Sequence, residues 1–245
     1  MNNKIPKVIY QTFETKKLSK EMNNIVNSWK LHNTNYEYIL YDHNDREKFI
    51  KSFFNTKVIN AYYKLRHNAL RADLWRYCIL YKYGGVYADL DTLCLDSIDN
   101  FITNKTEIMV PKDLGNSYHI FNAFIAVVPN HPIMDYCIKK IVNNVENKVD
   151  YPDKRDVAGP GVLGKSINKY LNRPEMNYID FSNTYNIEYL ELLEFKIPNE
   201  YVTNQDCSKT LFQNKNGNPS IKSIYEKENK KNNLNPEWSI GSPYL

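Results

Sequence analysis

The sequence has few cysteines and no long hydrophobic segment. Only four of its 245 residues are cysteines, and Cys78, Cys94, Cys137 and Cys207 lie far apart without a Cys-x-x-Cys pair. This pattern predicts buried free thiols in a reducing compartment rather than a disulfide framework. Nowhere do about 18 apolar residues follow one another, and residues 1–13 lack the apolar core of a signal peptide. We therefore expect a soluble, cytoplasmic protein without a membrane span.

The sequence also has no segment in which charged residues of one sign are concentrated. The formal net charge is +4 at pH 7, and the lysines are scattered instead of forming a basic stripe. A basic stripe is the electrostatic footprint of nucleic-acid binding, so we expect no nucleic-acid partner, while a slight positive field favours an anionic nucleotide. The sequence shows no internal repeats or long linkers. The 245 residues thus predict a single domain, with a charge-rich tail from about residue 225 that is mobile or covers a ligand site.

The stretch 68–91, NALRADLWRYCILYKYGGVYADLD, is the most informative part of the chain. In its first half, apolar residues recur at helical spacing, and Gly84-Gly85 then supplies the positive φ that ends a helix. A short buried strand follows and delivers Asp89 and Asp91 at its C-terminal end. Because residues i and i+2 of an extended strand point to the same side, both carboxylates face one spot. Two such hard oxygen ligands suit Mn²⁺ or Mg²⁺ far better than zinc or copper.

This stretch carries a composite motif, ADLWRY…YGGVYADLDT, whose polar residues and glycines fall in one order within a short distance. The motif resembles the signature of glycosyltransferase family 32, the Asp-x-Asp sugar transferases with a glycosyltransferase sugar-binding region. The glucosylating domains of the large clostridial toxins are more distant relatives. The resemblance implies an α/β fold of the GT-A type, with a Rossmann-like, mostly parallel sheet and flanking helices. It also implies a metal-dependent, retaining glycosyltransferase that moves a sugar from a UDP- or GDP-sugar to a hydroxyl acceptor such as a glycan.

The same resemblance implies roles for individual residues of the motif. The predicted catalytic set is Asp73, Arg76, Asp89 and Asp91. Asp73 would hydrogen-bond sugar hydroxyls, and Arg76 would lie near the sugar and the diphosphate, where a guanidinium matches oxyanions. Asp91 would bind the metal directly, Asp89 would bind ribose or the metal through water, and Tyr87 would point into the sugar pocket. The alternative for Asp73 and Arg76, which both lie on the predicted helix, is a solvent-exposed i, i+3 ion pair, which contributes only a few tenths of a kcal/mol to stability.

The start of the chain carries a second resemblance. The run IPKVIYQTF is similar to the family's opening, Ile-Pro-Lys-x-Ile-His-Gln-x-Trp, with Tyr10 in place of His and Phe13 in place of Trp. We expect Tyr10, Gln11, Thr12 and Phe13 to contact the donor nucleotide, because a strand-end aromatic ring can stack on a base for about 1–3 kcal/mol. A core position for Phe13 is the alternative. Predicted strands at the chain start and at 36–41, with a helix between them, are typical of a nucleotide-binding α/β half-sheet.

Four later residues complete the predicted site. Asn122, in the apolar run FNAFIAVVP, would hydrogen-bond the donor or acceptor sugar or serve as a structural amide. By a loose resemblance to the family's closing element, Trp238 would pack on the donor phosphates. Glu237 or Ser242 would complete the metal shell.

Two other classes of function compete with sugar transfer. One is a degenerate transferase that binds a nucleotide sugar or glycan without catalysis. The other is a phosphohydrolase of the haloacid-dehalogenase type, which uses Asp-x-Asp-x-Thr after a strand. Here Leu93 occupies the fifth position of that motif and Thr92 stands one place early. The complete set of charged residues in the transferase motif favours the transferase.

Overall fold

The computed structural model describes residues 4–113, 118–177, 190–196, 199–234 and 242–245. Within these ranges the chain forms nine strands and seven α-helices. The strands are β1 (Val8–Thr12), β2 (Glu37–Tyr41), β3 (Gly85–Ala88), β4 (Thr92–Cys94), β5 (Ile108–Pro111), β6 (Phe124–Val127), β7 (Leu190–Lys196), β8 (Tyr201–Thr203) and β9 (Thr210–Asn214). The helices are α1 (Lys20–His32), α2 (His43–Phe53), α3 (Thr56–Lys64), α4 (Asn68–Tyr83), α5 (Pro132–Glu146), α6 (Pro160–Tyr170) and α7 (Pro219–Lys231).

All nine strands belong to one sheet in the order β2-β1-β3-β6-β5-β7-β8-β9-β4. The sheet is mixed, which corrects the predicted mostly parallel pairing. Three pairings are parallel, β1 with β2, β1 with β3 and β5 with β7, while the other five are antiparallel. The last strands follow one another through short connections, which join antiparallel neighbours, whereas a parallel pair needs a longer crossover. The parallel, Rossmann-like part is therefore confined mainly to the first three strands.

Helix α4 lies in the middle of the hydrophobic core. Every residue from Asp73 to Leu80 is buried, so the helix is enclosed on all its faces rather than on a single stripe. Cys78 on this helix, together with Cys94 and Cys137, is a buried free thiol as predicted, but Cys207 is exposed. None of the helices in the described ranges has the length and apolar character needed to cross a bilayer.

The turn from α4 into β3 fixes where the Asp-x-Asp motif falls. Gly84 and Gly85 have φ angles of 63° and 97°, which L side chains rarely adopt. A Cβ atom on Gly84 would also lie 2.6 Å from the backbone nitrogen of Pro129. The chain can therefore reverse immediately after the helix, and β3 enters the sheet between β1 and β6.

Candidate active site

A cavity of about 510 Å³ lies at the carboxyl ends of β1 and β3. Its wall also includes the first turns of α4, the 155–160 loop and part of α7. Open α/β sheets bind ligands at the carboxyl ends of their strands, so this is the expected position for a site. The four residues of the predicted catalytic set all line this cavity: Asp73, Arg76, Asp89 and Asp91.

Arg76 joins the two acidic parts of the site. Its Nη2 atom lies 3.1 Å from Asp73 Oδ1 and 3.2 Å from Asp89 Oδ1. Its Nη1 atom donates to the carbonyl oxygen of Asn122 at 2.5 Å, and the ring of Tyr87 lies 4.3 Å from the guanidinium carbon. The Arg76 residue is only 6% exposed, so the alternative of a solvent-exposed i, i+3 ion pair is wrong. The structure instead shows a buried, rigidly held cation in the cavity wall.

Asp73 lies deeper than an ordinary helix-surface carboxylate. The Asn122 side chain donates to its Oδ1 atom at 2.9 Å and also donates to the Tyr77 hydroxyl at 3.2 Å. Burial raises the pKa of Asp73 to about 6, and the nearby charge of Asp89 adds to this, while Arg76 and Asn122 oppose it. Asp73 is thus a fixed hydrogen-bonding group at the cavity wall, and Asn122 orients it.

The turn after β3 holds Asp89 by both its backbone and its side chain. Its carbonyl oxygen accepts hydrogen bonds from Gln11 Nε2 at 3.0 Å and from Thr92 Oγ1 at 2.6 Å. The Tyr87 hydroxyl donates to its Oδ1 atom at 2.5 Å. Burial raises the pKa of Asp89, with Arg76 opposing and Asp91 adding to the rise. With 31% of its side chain exposed, the Asp89 carboxylate remains accessible from the cavity.

Asp91 is more enclosed, and its partner is a residue that the sequence did not reveal. Asp91 is 5% exposed, and its Oδ2 atom forms an ion pair with the ammonium group of Lys215. Lys215 belongs to an Asn-rich turn after β9, which local sequence patterns identify only as a turn. The two residues meet because β4 pairs with β9, and no local pattern predicts a pairing between strands so far apart in sequence.

The oxygen atoms that the site offers as metal ligands fit a divalent ion. Asp89 and Asp91 supply carboxylate oxygens, the ligand type that Mg²⁺ and Mn²⁺ prefer. The described residues contain no group of three or more His, Cys, Asp or Glu side chains positioned to hold a metal. Magnesium is commonly held by one or two carboxylates, with water and substrate phosphates completing its shell. Asp89 and Asp91 would therefore suit an ion that binds together with a diphosphate.

The predicted nucleotide-contacting strand divides into two parts. Thr12 and Phe13 line the cavity, and the Phe13 ring makes an edge contact with Tyr225 of α7 at 6.2 Å between centroids. Tyr10 is instead 4% exposed and packs in the core with its ring 6.3 Å from that of Tyr41. Gln11 is fully buried and supports the Asp89 carbonyl. Neither Tyr10 nor Gln11 is among the described residues that line the cavity.

The predicted contributors from the end of the chain are only partly described. Ser242 is exposed, and its hydroxyl donates to the carbonyl oxygen of Tyr244 at 3.1 Å. Ser242 is not one of the described residues that line the cavity. Glu237 and Trp238 lie outside the described residues. Four residues of the predicted tail, none of which the sequence analysis singled out, also line the cavity: Tyr225, Asn229, Asn233 and Leu234.

Comparisons with known proteins agree with this geometry. Residues 19–108 match the family described as "Glycosyltransferase sugar-binding region containing DXD motif". The chain is 30% identical over 179 residues to inositol phosphoceramide mannosyltransferase 1 of Schizosaccharomyces pombe, covering 70% of this chain and 54% of that protein. It is 26% identical over 195 residues to the initiation-specific alpha-1,6-mannosyltransferase of the same yeast, covering 69% and 49%. The chain thus spans about half the length of these relatives.

A solved structure shows the same architecture. The PaToxG glycosyltransferase superposes with a TM-score of 0.56 at 18% identity, covering 69% of this chain and 70% of that chain. Likeness at this identity concerns the fold, and it confirms the predicted GT-A-type α/β class. Together with the family match, it confirms the resemblance first seen in the Asp-x-Asp motif. Residues 19–108 of the chain therefore resemble the DXD-containing sugar-binding region that gives this glycosyltransferase family its name.

Proposed function

We propose that the chain is the catalytic region of a metal-dependent, retaining glycosyltransferase that uses a UDP- or GDP-sugar and a hydroxyl acceptor such as a glycan. The observation that carries the proposal is the buried bridge in which Arg76 joins Asp73 and Asp89, at 3.1 and 3.2 Å. The adjoining cavity of about 510 Å³ has the volume typical of small-molecule sites. Both curated relatives are named mannosyltransferases, so mannose is the sugar that we propose.

The first requirement of this reaction is to stabilise the leaving group. Negative charge develops on the diphosphate as the bond to the sugar breaks, and groups already oriented toward that charge lower the barrier. A divalent ion, when bound at Asp91, supplies Lewis-acid stabilisation of the diphosphate. Arg76 adds a permanent charge, and its contacts with Asp73, Asp89 and the Asn122 carbonyl hold it in place before the donor arrives.

The second requirement is to position the sugar. Asp73 presents its carboxyl group to the cavity, and Asn122 fixes its orientation through a 2.9 Å hydrogen bond. A carboxylate held in this way accepts hydrogen bonds from sugar hydroxyls in one geometry, which aligns the anomeric carbon with the acceptor. Asp73 is therefore the sugar-binding group of the proposal, with Asn122 as its support.

Retention of configuration is what the family resemblance implies, and the way the wall's carboxylates are held bears on which retaining mechanism we propose. Each carboxylate of the described cavity wall already has a partner: Glu14 contacts Arg46, Asp73 contacts Asn122, Asp89 contacts Tyr87 and Asp91 contacts Lys215. A double displacement needs a carboxylate that attacks the anomeric carbon. We therefore favour front-face attack, in which the acceptor hydroxyl approaches beside the departing phosphate and gives it its proton.

The phosphohydrolase alternative finds no support in the turn after β3. Its motif has threonine at the fifth position, where this chain has Leu93, and the Thr92 hydroxyl one place earlier donates to the Asp89 carbonyl at 2.6 Å. Thr92 is also fully buried, so it has a structural position. The degenerate binding protein differs from the transferase only in turnover, and an experiment must separate these two.

A panel of UDP- and GDP-sugars, each with and without Mn²⁺, tests the proposal. A ligand at 100 times its Kd stabilises the folded state by about 2.7 kcal/mol, so thermal unfolding should report a Mn²⁺-dependent shift with one nucleotide family. Slow donor hydrolysis would identify an enzyme rather than a binding protein.

Asp91→Asn should abolish hydrolysis and transfer while keeping the fold, because the amide oxygen can still accept from Lys215 but is a weaker metal ligand. Circular dichroism would check the fold, and Asp96→Asn in the neighbouring loop serves as a matched acid-to-amide control. Wild-type turnover in Asp91→Asn would overturn the metal assignment.

The predicted cytoplasmic location and the predicted lack of nucleic-acid binding can each be tested by one experiment. Fractionation of cells that express a tagged chain would test the cytoplasmic location. A gel-shift assay with mixed DNA and RNA would test the expected lack of nucleic-acid binding.

A further inference from the structure

The register between β4 and β9 places Lys215 against Asp91. Thr92 pairs with Asn214 in an antiparallel arrangement, so the next residues along the two strands, Asp91 and Lys215, face each other. The ammonium group contacts the Asp91 carboxylate, whose side chain is 7% exposed. A buried ion pair is therefore built into the cavity wall at the second aspartate of the motif.

Hydrogen bonds hold the turn that carries Lys215. The Asn214 side chain accepts from the Lys215 backbone N–H at 2.9 Å, and Gln213 Nε2 donates to the carbonyl of Gly217 at 3.1 Å. Asn218 in turn donates to Gln213 Oε1 at 3.0 Å. The Lys215 ammonium also lies 4.1 Å from the centre of the Tyr225 ring, a favourable cation–π distance. The backbone beneath Lys215 is thus fixed, while its long side chain is held by its contacts with Asp91 and Tyr225.

A buried carboxylate such as Asp91 needs a counter-ion at every stage of a catalytic cycle. An unpaired charge in a poorly hydrated site is strongly unfavourable. Lys215 fulfils this need, because its ammonium group lies against the Asp91 carboxylate. If a divalent ion takes Asp91, the ammonium loses its partner but remains within the same cavity wall.

We propose that Lys215 is a tethered counter-ion that exchanges with the metal: it neutralises Asp91 before the donor binds and then moves to the donor diphosphate. This inference rests on the proposed nucleotide-sugar donor. Lysine is suited to the exchange because its ammonium is a point charge on a flexible stem that binds phosphate without a fixed geometry. With 28% of its side chain exposed to the cavity, Lys215 has room to turn. Binding of the metal and binding of the donor are then coupled. The metal at Asp91 releases the Lys215 ammonium, which pairs with the donor diphosphate, and a bound donor draws Lys215 away and leaves Asp91 to the metal.

The test measures Mn²⁺ binding to the donor-free protein by electron paramagnetic resonance. If the ammonium leaves Asp91 free only a tenth of the time, the apparent Mn²⁺ affinity of the wild type is about tenfold below the intrinsic value. Lys215→Met removes the competing charge, so we expect its affinity for Mn²⁺ alone to be about tenfold higher than that of the wild type. The same variant should bind the nucleotide diphosphate more weakly in the presence of Mn²⁺.

Lys215→Gln guards against misfolding of the methionine variant, because its amide can still donate to Asp91. Lys222→Met, at an exposed position on α7, is the matched control and should bind Mn²⁺ like the wild type. Unchanged Mn²⁺ affinity in both Lys215 variants would overturn the exchange. If the wild type neither binds nor hydrolyses any nucleotide sugar, the proposed donor falls, and Mn²⁺ affinity still decides whether Lys215 competes for Asp91.

Discussion

At the scale of single residues, Arg76 is the group through which the charges of the site interact. Burial alone would lower the pKa of its guanidinium, but Tyr87, Asp89 and Asp73 more than offset this, so its pKa is raised and it stays charged. The same contacts make it both a structural and a functional residue. Removing its charge leaves Asp73 and Asp89 close together without a shared counter-ion.

Two substitutions at Arg76 should separate these roles. Arg76→Met leaves the Asp73 and Asp89 carboxylates without their shared counter-ion, and we expect it to lower the free energy of unfolding by about 3–5 kcal/mol. Arg76→Lys keeps a positive charge but cannot reach Asp73, Asp89 and the Asn122 carbonyl at once. We expect it to fold and to lower the rate of donor hydrolysis by about 10²–10³-fold, as when one oriented donor to a developing charge is lost. Urea unfolding and hydrolysis assays measure the two effects, and wild-type turnover in Arg76→Lys would contradict the role assigned to Arg76.

At the scale of elements, the unit from α4 to the Asp-x-Asp turn was predictable from sequence. Helical periodicity, the glycine pair and the strand that follows are all local signals, and they bring Asp73, Arg76, Asp89 and Asp91 to one cavity. The first strand was predictable for the same reason. Phe13, just after it, agrees with both predicted positions, because it lines the cavity and is only 6% exposed in a hydrophobic cluster. Side-chain direction was harder to predict: Tyr10 belongs to the same strand and faces the core because of how β1 packs, which its sequence does not specify.

The missed features depend on contacts between distant parts of the chain. Lys215 reaches Asp91 only because β4 pairs with β9. The insertion of β6 between β3 and β5 likewise has no local signature, and it makes the centre of the sheet antiparallel. Packing across the whole sheet decides which distant strands pair, so local sequence patterns cannot predict these pairings.

The start of α5 offers a test of how one element depends on pH. His131 is the N-cap of this helix, is 3% exposed, and accepts the backbone N–H of Ile133 on its Nδ1 atom at 3.2 Å. Burial lowers its pKa to about 4, against a weaker opposing effect of Glu107. The unfolded chain therefore takes up this proton near pH 6.5, whereas the folded protein resists it until about pH 4. The contribution of neutral His131 to the free energy of unfolding is therefore complete above about pH 6.5 and declines as the pH falls.

His131→Asn should remove this dependence, because asparagine keeps a capping oxygen but does not titrate. Across the interval from about pH 6.5 to about pH 4, the wild type should lose about 3 kcal/mol more free energy of unfolding than the variant. Urea unfolding at several pH values gives the comparison. Because the buried carboxylates titrate in both proteins, the difference between the two curves isolates His131. Parallel curves would show that His131 has the same pKa in the folded and the unfolded protein, which would contradict this role.

At the scale of the whole molecule, the last described residues return to the start of α4, beside the cavity. The backbone N–H of Arg66 donates to the carbonyl of Pro243 at 2.8 Å, and that of Leu245 donates to Lys64 at 2.8 Å. Tyr244 is 6% exposed, and its hydroxyl donates to the carbonyl of Val149 at 2.7 Å. The last three described residues thus join the connection between α3 and α4 to the loop after α5. Because Arg66 also lines the cavity, this junction links the stability of the fold to the geometry of the site.

Two substitutions at Tyr244 would measure this link. Tyr244→Phe removes only the hydrogen bond to Val149, so we expect a loss of about 1 kcal/mol in the free energy of unfolding and unchanged donor binding. Tyr244→Ala also removes a buried ring, for which we expect a loss of about 3–5 kcal/mol. Since the ring supports the connection that leads into α4, the alanine variant should also show a smaller thermal shift with donor and Mn²⁺ than the phenylalanine variant. Equal shifts in both variants would mean that the junction stabilises the fold without affecting the cavity, and wild-type stability in Tyr244→Ala would mean that the terminal segment is not packed there.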